Sequence, residues 1–285
     1  MPGVPLQETL IFFLGALSLG FSGGLLGTFL VWHRLSYVAD AFAHAAIFGA
    51  ALALFLALPP FVALTLFALM FAAFFAFAMD GRAFDAWVMI LSAGAMSLGL
   101  LWMVLMGQPT KNVLSYLLGG FFESSTLHSL GCVFFALIVS VFAWRYWRVL
   151  VLRTLSRDLA LMGGAVFSRI IFFVWLCLVL FFLVLGLRHA GALVLTLLLV
   201  GPLAVAHKWA ISPVQCFLAS GIVGATVFTV AVLCSELTGL QLGPILGVLW
   251  VLVLGLSFGV WWIVKPAPSG RFKRIFRKDV KKDAL

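Results

Sequence analysis

The sequence predicts an all-α, polytopic integral membrane protein, and three observations carry that prediction. Of its 285 residues, 65% are hydrophobic and 9% charged, which leaves too few polar groups to cover a soluble domain of this size. The mean hydropathy, +1.23, is spread along the chain in successive apolar runs, each near the ~20 residues that cross a hydrocarbon core. Short breaks rich in Gly, Pro, Arg and Trp separate the runs. A lipid-embedded run must satisfy its own backbone hydrogen bonds, so each run is read as a helix.

Taken in order, the first span is 8–32, whose Gly23, Gly24 and Gly27 suit close helix packing. The second is 34–57, stopped by Pro59-Pro60. The third, 61–79, ends at Asp80-Gly81-Arg82, and the fourth is 86–106. Residues 107–125, GQPTKNVLSYLLGGFFESS, mix Gly, Pro, Ser and both signs of charge, predicting an exposed loop with a short helix at the membrane surface. The fifth span, 126–147, is closed by an interfacial anchor, Trp144-Arg145-Tyr146-Trp147-Arg148. Within 149–168, Ser156-Arg157-Asp158 offers a helix start and Gly163-Gly164 a stop, predicting a short surface helix. Spans over 169–187, 189–206 (interrupted by Gly201-Pro202), 211–235 and 243–264 complete the set. The total is about nine, or eight if one short segment only dips in. Residues 1–264 form one transmembrane domain and 265–285 a basic tail.

Charge sets the expected orientation. The net charge is +9, much of it in the tail residues Lys265, Arg271, Lys273, Arg274, Arg277, Lys278, Lys281 and Lys282. Such a tail faces the cytoplasm and anionic lipid rather than nucleic acid. Alternating backwards from it puts Arg34, Arg82, Arg145, Arg148, Arg153, Arg157, Arg169 and Lys208 inside. Lys111, Arg188, Glu8, Glu123 and Glu236 fall outside, with an extracytoplasmic N-terminus. That N-terminus lacks a basic leader region, so no cleaved signal peptide is expected. Cys132, Cys177, Cys216 and Cys234 lie apart in apolar surroundings and read as small core residues.

Asp40 and His44, in the second span, are the candidate chemistry. Four residues apart, they share one helix face. Beside them Ala41, Ala45, Gly49 and Ala53 make a ridge of small residues that lets another helix approach. Carboxylate and imidazole both bind divalent zinc, manganese or iron. Two ligands hold a metal loosely, which suits an ion that must leave again, and two facing copies would supply four. Two other readings stand beside this one: helix–helix hydrogen bonding or an Asp40–Arg34 pair, and a proton relay in an ion-coupled secondary transporter. His189, at the start of the seventh span, is a further candidate ligand at the outer mouth or an interfacial histidine. His33 and His207 read as anchors, and His128 has no evident partner in sequence. Glu8, Glu123 and Glu236 are either an acidic outer mouth or solvated loop charges. The helix expected at 155–164 is either a surface a partner enzyme pushes on or a connector in the headgroups. The chain has no GxxxxGK[ST] or HExxH sequence, so it is expected not to be an enzyme by itself.

Residues 22–53, SGGLLGTFLVWHRLSYVADAFAHAAIFGAALA, resemble the signature region of ABC-transporter permeases for zinc, manganese and iron. LSYLLGG at 114–120, LSRDLALMGG at 155–164, and GALVLTLLLVGPLAVA at 191–206 with GLQLGPILGVL at 239–249 resemble further stretches of the family in the same order. The resemblance implies a bacterial inner-membrane importer permease that pairs with a second copy of itself. It implies a separate ATP-hydrolysing subunit at the cytoplasmic face and a metal-loaded binding protein at the outer face. Asp40 and His44 would then lie along the ion path. Ser156, Arg157, Asp158, Leu159, Ala160, Gly163 and Gly164 would form the ATPase-coupling element. No permanently bound cofactor is implied; the metal is cargo. The chain has Ala39 where the family commonly has Gly, and Phe48 before Gly49 where many manganese-type members have Pro. The AHAAIFG run is closer to the zinc-type pattern, which places zinc ahead of manganese or iron.

Overall fold

The computed structural model describes residues 6–78, 84–107, 126–155 and 165–264. Among them are nine α-helices: α1 (Leu6–Trp32), α2 (Ser36–Phe55), α3 (Pro60–Ala73), α4 (Phe84–Leu105), α5 (Thr126–Leu155), α6 (Ala165–Ala190), α7 (Ala192–Ala206), α8 (Pro213–Thr238) and α9 (Leu242–Val264). Each expected span has its helix. Seven are long and apolar enough to cross a membrane, and two shorter apolar helices, Pro60–Ala76 and Leu195–Ala206, fill the third and seventh places. The chain is a multi-pass membrane protein. The loop expected within 107–125 lies outside the described residues from 108 onward, and so do the coupling residues Ser156 to Gly164 and the tail 265–285.

The fifth span breaks where expected: Tyr146 has non-helical angles (φ −111°, ψ 15°), which divide α5 into the span before it and a helical stretch running on to Leu155. The aromatic and basic cluster stands at that kink. One expectation is corrected: the seventh span is not interrupted, since α7 continues through Pro202. Neighbouring helices make this tolerable, as packed surroundings can satisfy the carbonyl that proline leaves without a donor. Gly201 also lets the Trp250 indole lie against the backbone, where a Cβ would come within 2.7 Å of the ring.

Helix ends follow local chemistry. α1 stops in a Schellman turn: Leu35 N–H donates to the Leu30 carbonyl and Arg34 N–H to the Val31 carbonyl, both at 2.9 Å. Arg34 holds the left-handed position of that turn (φ 61°), which glycine usually takes. α2 ends the same way, with Ala57 at φ 50° and Leu58 N–H donating to the Ala53 carbonyl at 3.0 Å. α8 begins with a capping box between Ser212 and Gln215, with proline at its first position.

α1 packs chiefly on α5, α7 and α8. Three of its glycines meet backbone: Gly20 faces Gly224 and Ala225, Gly24 faces Ser220 and Gly221, and Gly27 faces the Leu199 carbonyl, while Gly23 meets the Phe182 and Leu198 side chains. Such small-residue crossings allow the extensive van der Waals contact that drives helix association in lipid. Near the Trp32 end of α1, Phe29 packs on Trp147 (5.4 Å) and Phe217 (5.5 Å), tying α1 to α5 and α8. On the other side, Phe42 of α2 packs on Phe67 (5.9 Å) and Phe71 (5.6 Å) of α3.

Candidate functional site

α2 is buried along most of its surface, and its ridge of Ala41, Ala45, Gly49 and Ala53 is wholly so. A Cβ on Gly49 would meet Leu64 at 2.9 Å, so the ridge serves packing on α3 within this chain. One stripe of α2 is left open. Along it lie Tyr37, 59% exposed, then Asp40 and His44, whose side chains are 54% and 36% exposed. At 1.5 Å per residue the pair sits about 6 and 12 Å along the axis from Ser36.

Backbone geometry prepares the histidine. His44 Nδ1 lies 2.8 Å from the Asp40 carbonyl oxygen. A carbonyl only accepts, so Nδ1 carries the proton and Nε2 keeps its lone pair for another partner. The Asp40 carboxylate is 3.8 Å from Nδ1, beyond hydrogen-bond reach. Its oxygens are therefore not taken up by the histidine. No ion pair joins Asp40 to Arg34 among the described residues, which removes that alternative. The arrangement offers two oxygen-or-nitrogen ligands on one open stripe. No cluster of three or more His, Cys, Asp or Glu occurs among the described residues.

His189 falls at the end of α6, not at the start of α7, and its side chain lies outside what is described. His207 is exposed, as an anchor is. His128 approaches the Leu185 carbonyl at 3.5 Å, a contact across helices that its sequence surroundings did not suggest. No disulfide joins the four cysteines, of which Cys132 and Cys216 are buried.

His33 corrects its reading as an anchor. It sits at the α1–α2 corner, where its ring stacks on Trp175 of α6 (5.1 Å, 26°) and tilts against Phe172 (5.7 Å). Nδ1 donates to the Phe29 carbonyl at 2.7 Å. Burial pulls its pKa down from 6.5 to about 4; the bond to Phe29 opposes this and the Arg153 cation adds to it. A lowered folded-state pKa means that the unfolded chain takes up a proton first as pH falls. The stability is thus intact above pH 6.5 and is lost between 6.5 and about 4, by about 3 kcal/mol. Thermal unfolding of the purified protein at pH 7.5 and 4.5 should show that acid loss, and His33→Gln should remove most of it.

Comparison with known proteins adds four findings. The profile of the ABC 3 transport family matches residues 7–260. The chain is 27% identical over 190 residues to the high-affinity zinc uptake system membrane protein ZnuB of Haemophilus influenzae, covering 66% of this chain and 72% of that one. It is 27% identical over 232 residues to the protein of the same name in Buchnera aphidicola subsp. Baizongia pistaciae, covering 78% and 85%. Among solved structures, PsaBC from Streptococcus pneumoniae in complex with Fab superposes with a TM-score of 0.74 at 20% identity, covering 95% of this chain and 96% of that one. That likeness is one of fold.

Proposed function

The chain belongs to the ABC 3 transport family, and from that membership we propose that it is the permease subunit of an ATP-driven importer for a divalent transition metal, zinc in first place. The observation that carries this is the open stripe of α2. An acidic residue facing hydrocarbon is costly, about 2.5–3.5 kcal/mol at the centre of a span and less toward its ends, where Asp40 stands. Asp40 and His44 therefore call for a covering surface or a polar path, and their free oxygens and Nε2 fit a metal cation. Against a second copy of the chain, the two pairs would bring four such ligands together.

In this reading a binding protein delivers the ion at the outer face, where the N-terminus lies. The ion makes transient contacts with Asp40 and His44. A separate cytoplasmic subunit hydrolyses ATP and drives the reorientation through Ser156–Gly164; the chain itself catalyses no reaction. Zinc is favoured by the zinc-type AHAAIFG run and by relatives named for zinc uptake; manganese and iron are the other candidates.

Growth under chelation tests the cargo. A strain lacking its own uptake system and carrying this permease with its partner subunits should be rescued by zinc at lower concentration than by manganese or iron. Rescue by manganese alone would reassign the metal. The permease should also co-purify with a soluble ATP-binding protein. Gradient-driven uptake without one would make it a secondary carrier.

A further inference from the structure

The corner that leads into α2 is tied to the two stems of the 156–164 segment by one continuous set of contacts. α5 enters that segment and α6 leaves it. Near the end of α5, Arg153 Nη1 donates to the Ser168 carbonyl on α6 at 3.1 Å and reaches its hydroxyl at 3.4 Å. The same guanidinium lies 3.9 Å over the Phe172 ring. Phe172 packs on His33, and His33 stacks on Trp175. Ser168, Phe172 and Trp175 follow one another at helical spacing along a single face of α6. His33 in turn is held to α1 by the Phe29 carbonyl, and the Schellman turn after it fixes the direction of α2.

We propose that His33 is a positioning residue for transport, coupling movement of the α5 and α6 stems to α2, with Trp175 as its partner. The proposal rests on the reading of 156–164 as the ATPase-docking element. Two polar atoms give the contact a second arrangement. His33 Nε2 and Trp175 Nε1 are both buried, and among the described residues neither has a hydrogen-bond partner. Because Nδ1 carries the His33 proton, Nε2 is an acceptor; Trp175 Nε1–H is a donor. In the stacked geometry the two rings lie face to face and these complementary groups do not meet. A slide of α6 past the corner would exchange the stack for an N–H···N bond and satisfy both. A contact with two discrete arrangements is the physical requirement for passing a displacement between sites.

The test uses the permease with its ATPase subunit and binding protein in lipid vesicles, reading zinc moved per ATP hydrolysed. Trp175→Phe keeps the stack and removes the donor; His33→Phe keeps the stack and removes the acceptor. Expected for both is ATP hydrolysis within about twofold of wild type and a ratio at least about tenfold lower. His33→Gln, which returns an acceptor, should recover part of the ratio. A role in packing alone predicts that both rates fall together with the folded fraction. An unchanged ratio in His33→Phe overturns the proposal even if Trp175→Phe does not fold. Failure of the docking reading shows elsewhere, in capture: Asp158→Lys would then retain the ATPase subunit as well as wild type, and the proposal would fall with it.

Discussion

Asp40→Asn and His44→Ala each lower metal uptake by about 100-fold or more while leaving the permease assembled in the membrane; removing even an indirect supporter of a metal ligand typically costs 10–100-fold. Asparagine keeps the shape of aspartate and removes its charge. Alanine removes the Nε2 lone pair that the bond from Nδ1 to the Asp40 carbonyl leaves available. Both side chains lie on the open stripe, so neither change opens a cavity, and stability should move by only about 0.5 kcal/mol. Uptake of radioactive zinc, with membrane abundance measured in parallel, separates the two quantities. Wild-type uptake in both variants would sink the assignment of the pair to the ion path.

Gly27→Ala and Gly24→Ala act on the fold itself. A Cβ on Gly27 would overlap the Leu199 carbonyl, and one on Gly24 the Ser220 carbonyl. These are backbone atoms of packed helices, with no flexible side chain to turn aside. Overpacking of this kind costs about 1–3 kcal/mol and occasionally more, so we expect little folded protein by size-exclusion chromatography in detergent. Gly94→Ala and Gly131→Ala are the controls. A Cβ at either meets nothing within 4 Å, and alanine should stabilise their helices by about 0.5–1 kcal/mol. Equal behaviour of all four variants would show that the α1 crossings are looser than the backbone contacts imply.

The spans were legible in sequence because hydropathy over ~20 residues is set by the bilayer rather than by neighbours in the fold. The Tyr146 break fell where the aromatic and basic residues marked the close of the fifth span, but the helical stretch that continues beyond it to Leu155 was not legible. Pro202 read as a break because its effect depends on what packs around it. Asp40 and His44 could be placed on one face from spacing alone, but their exposure could not. It depends on which side of α2 is left uncovered after α3, α4 and α7 have packed. His33 shows the limit most plainly. Its chain neighbours, Trp32 and Arg34, look interfacial, whereas its burial comes from Phe172 and Trp175, far along the sequence.

The glycine crossing of α1 also bears on how the protein is made. α1 leaves the ribosome well before α8: Ser220 and Gly221, which its Gly24 contacts, are synthesised roughly 200 residues later, on the order of 10–40 s at ordinary elongation rates. For that interval the glycine face of α1 has lipid or provisional neighbours in place of its final partner. The central crossing is thus among the last contacts to close, and earlier helices must leave that face accessible until α8 arrives. A helix that is innermost in the finished protein is, during biogenesis, the one that waits longest.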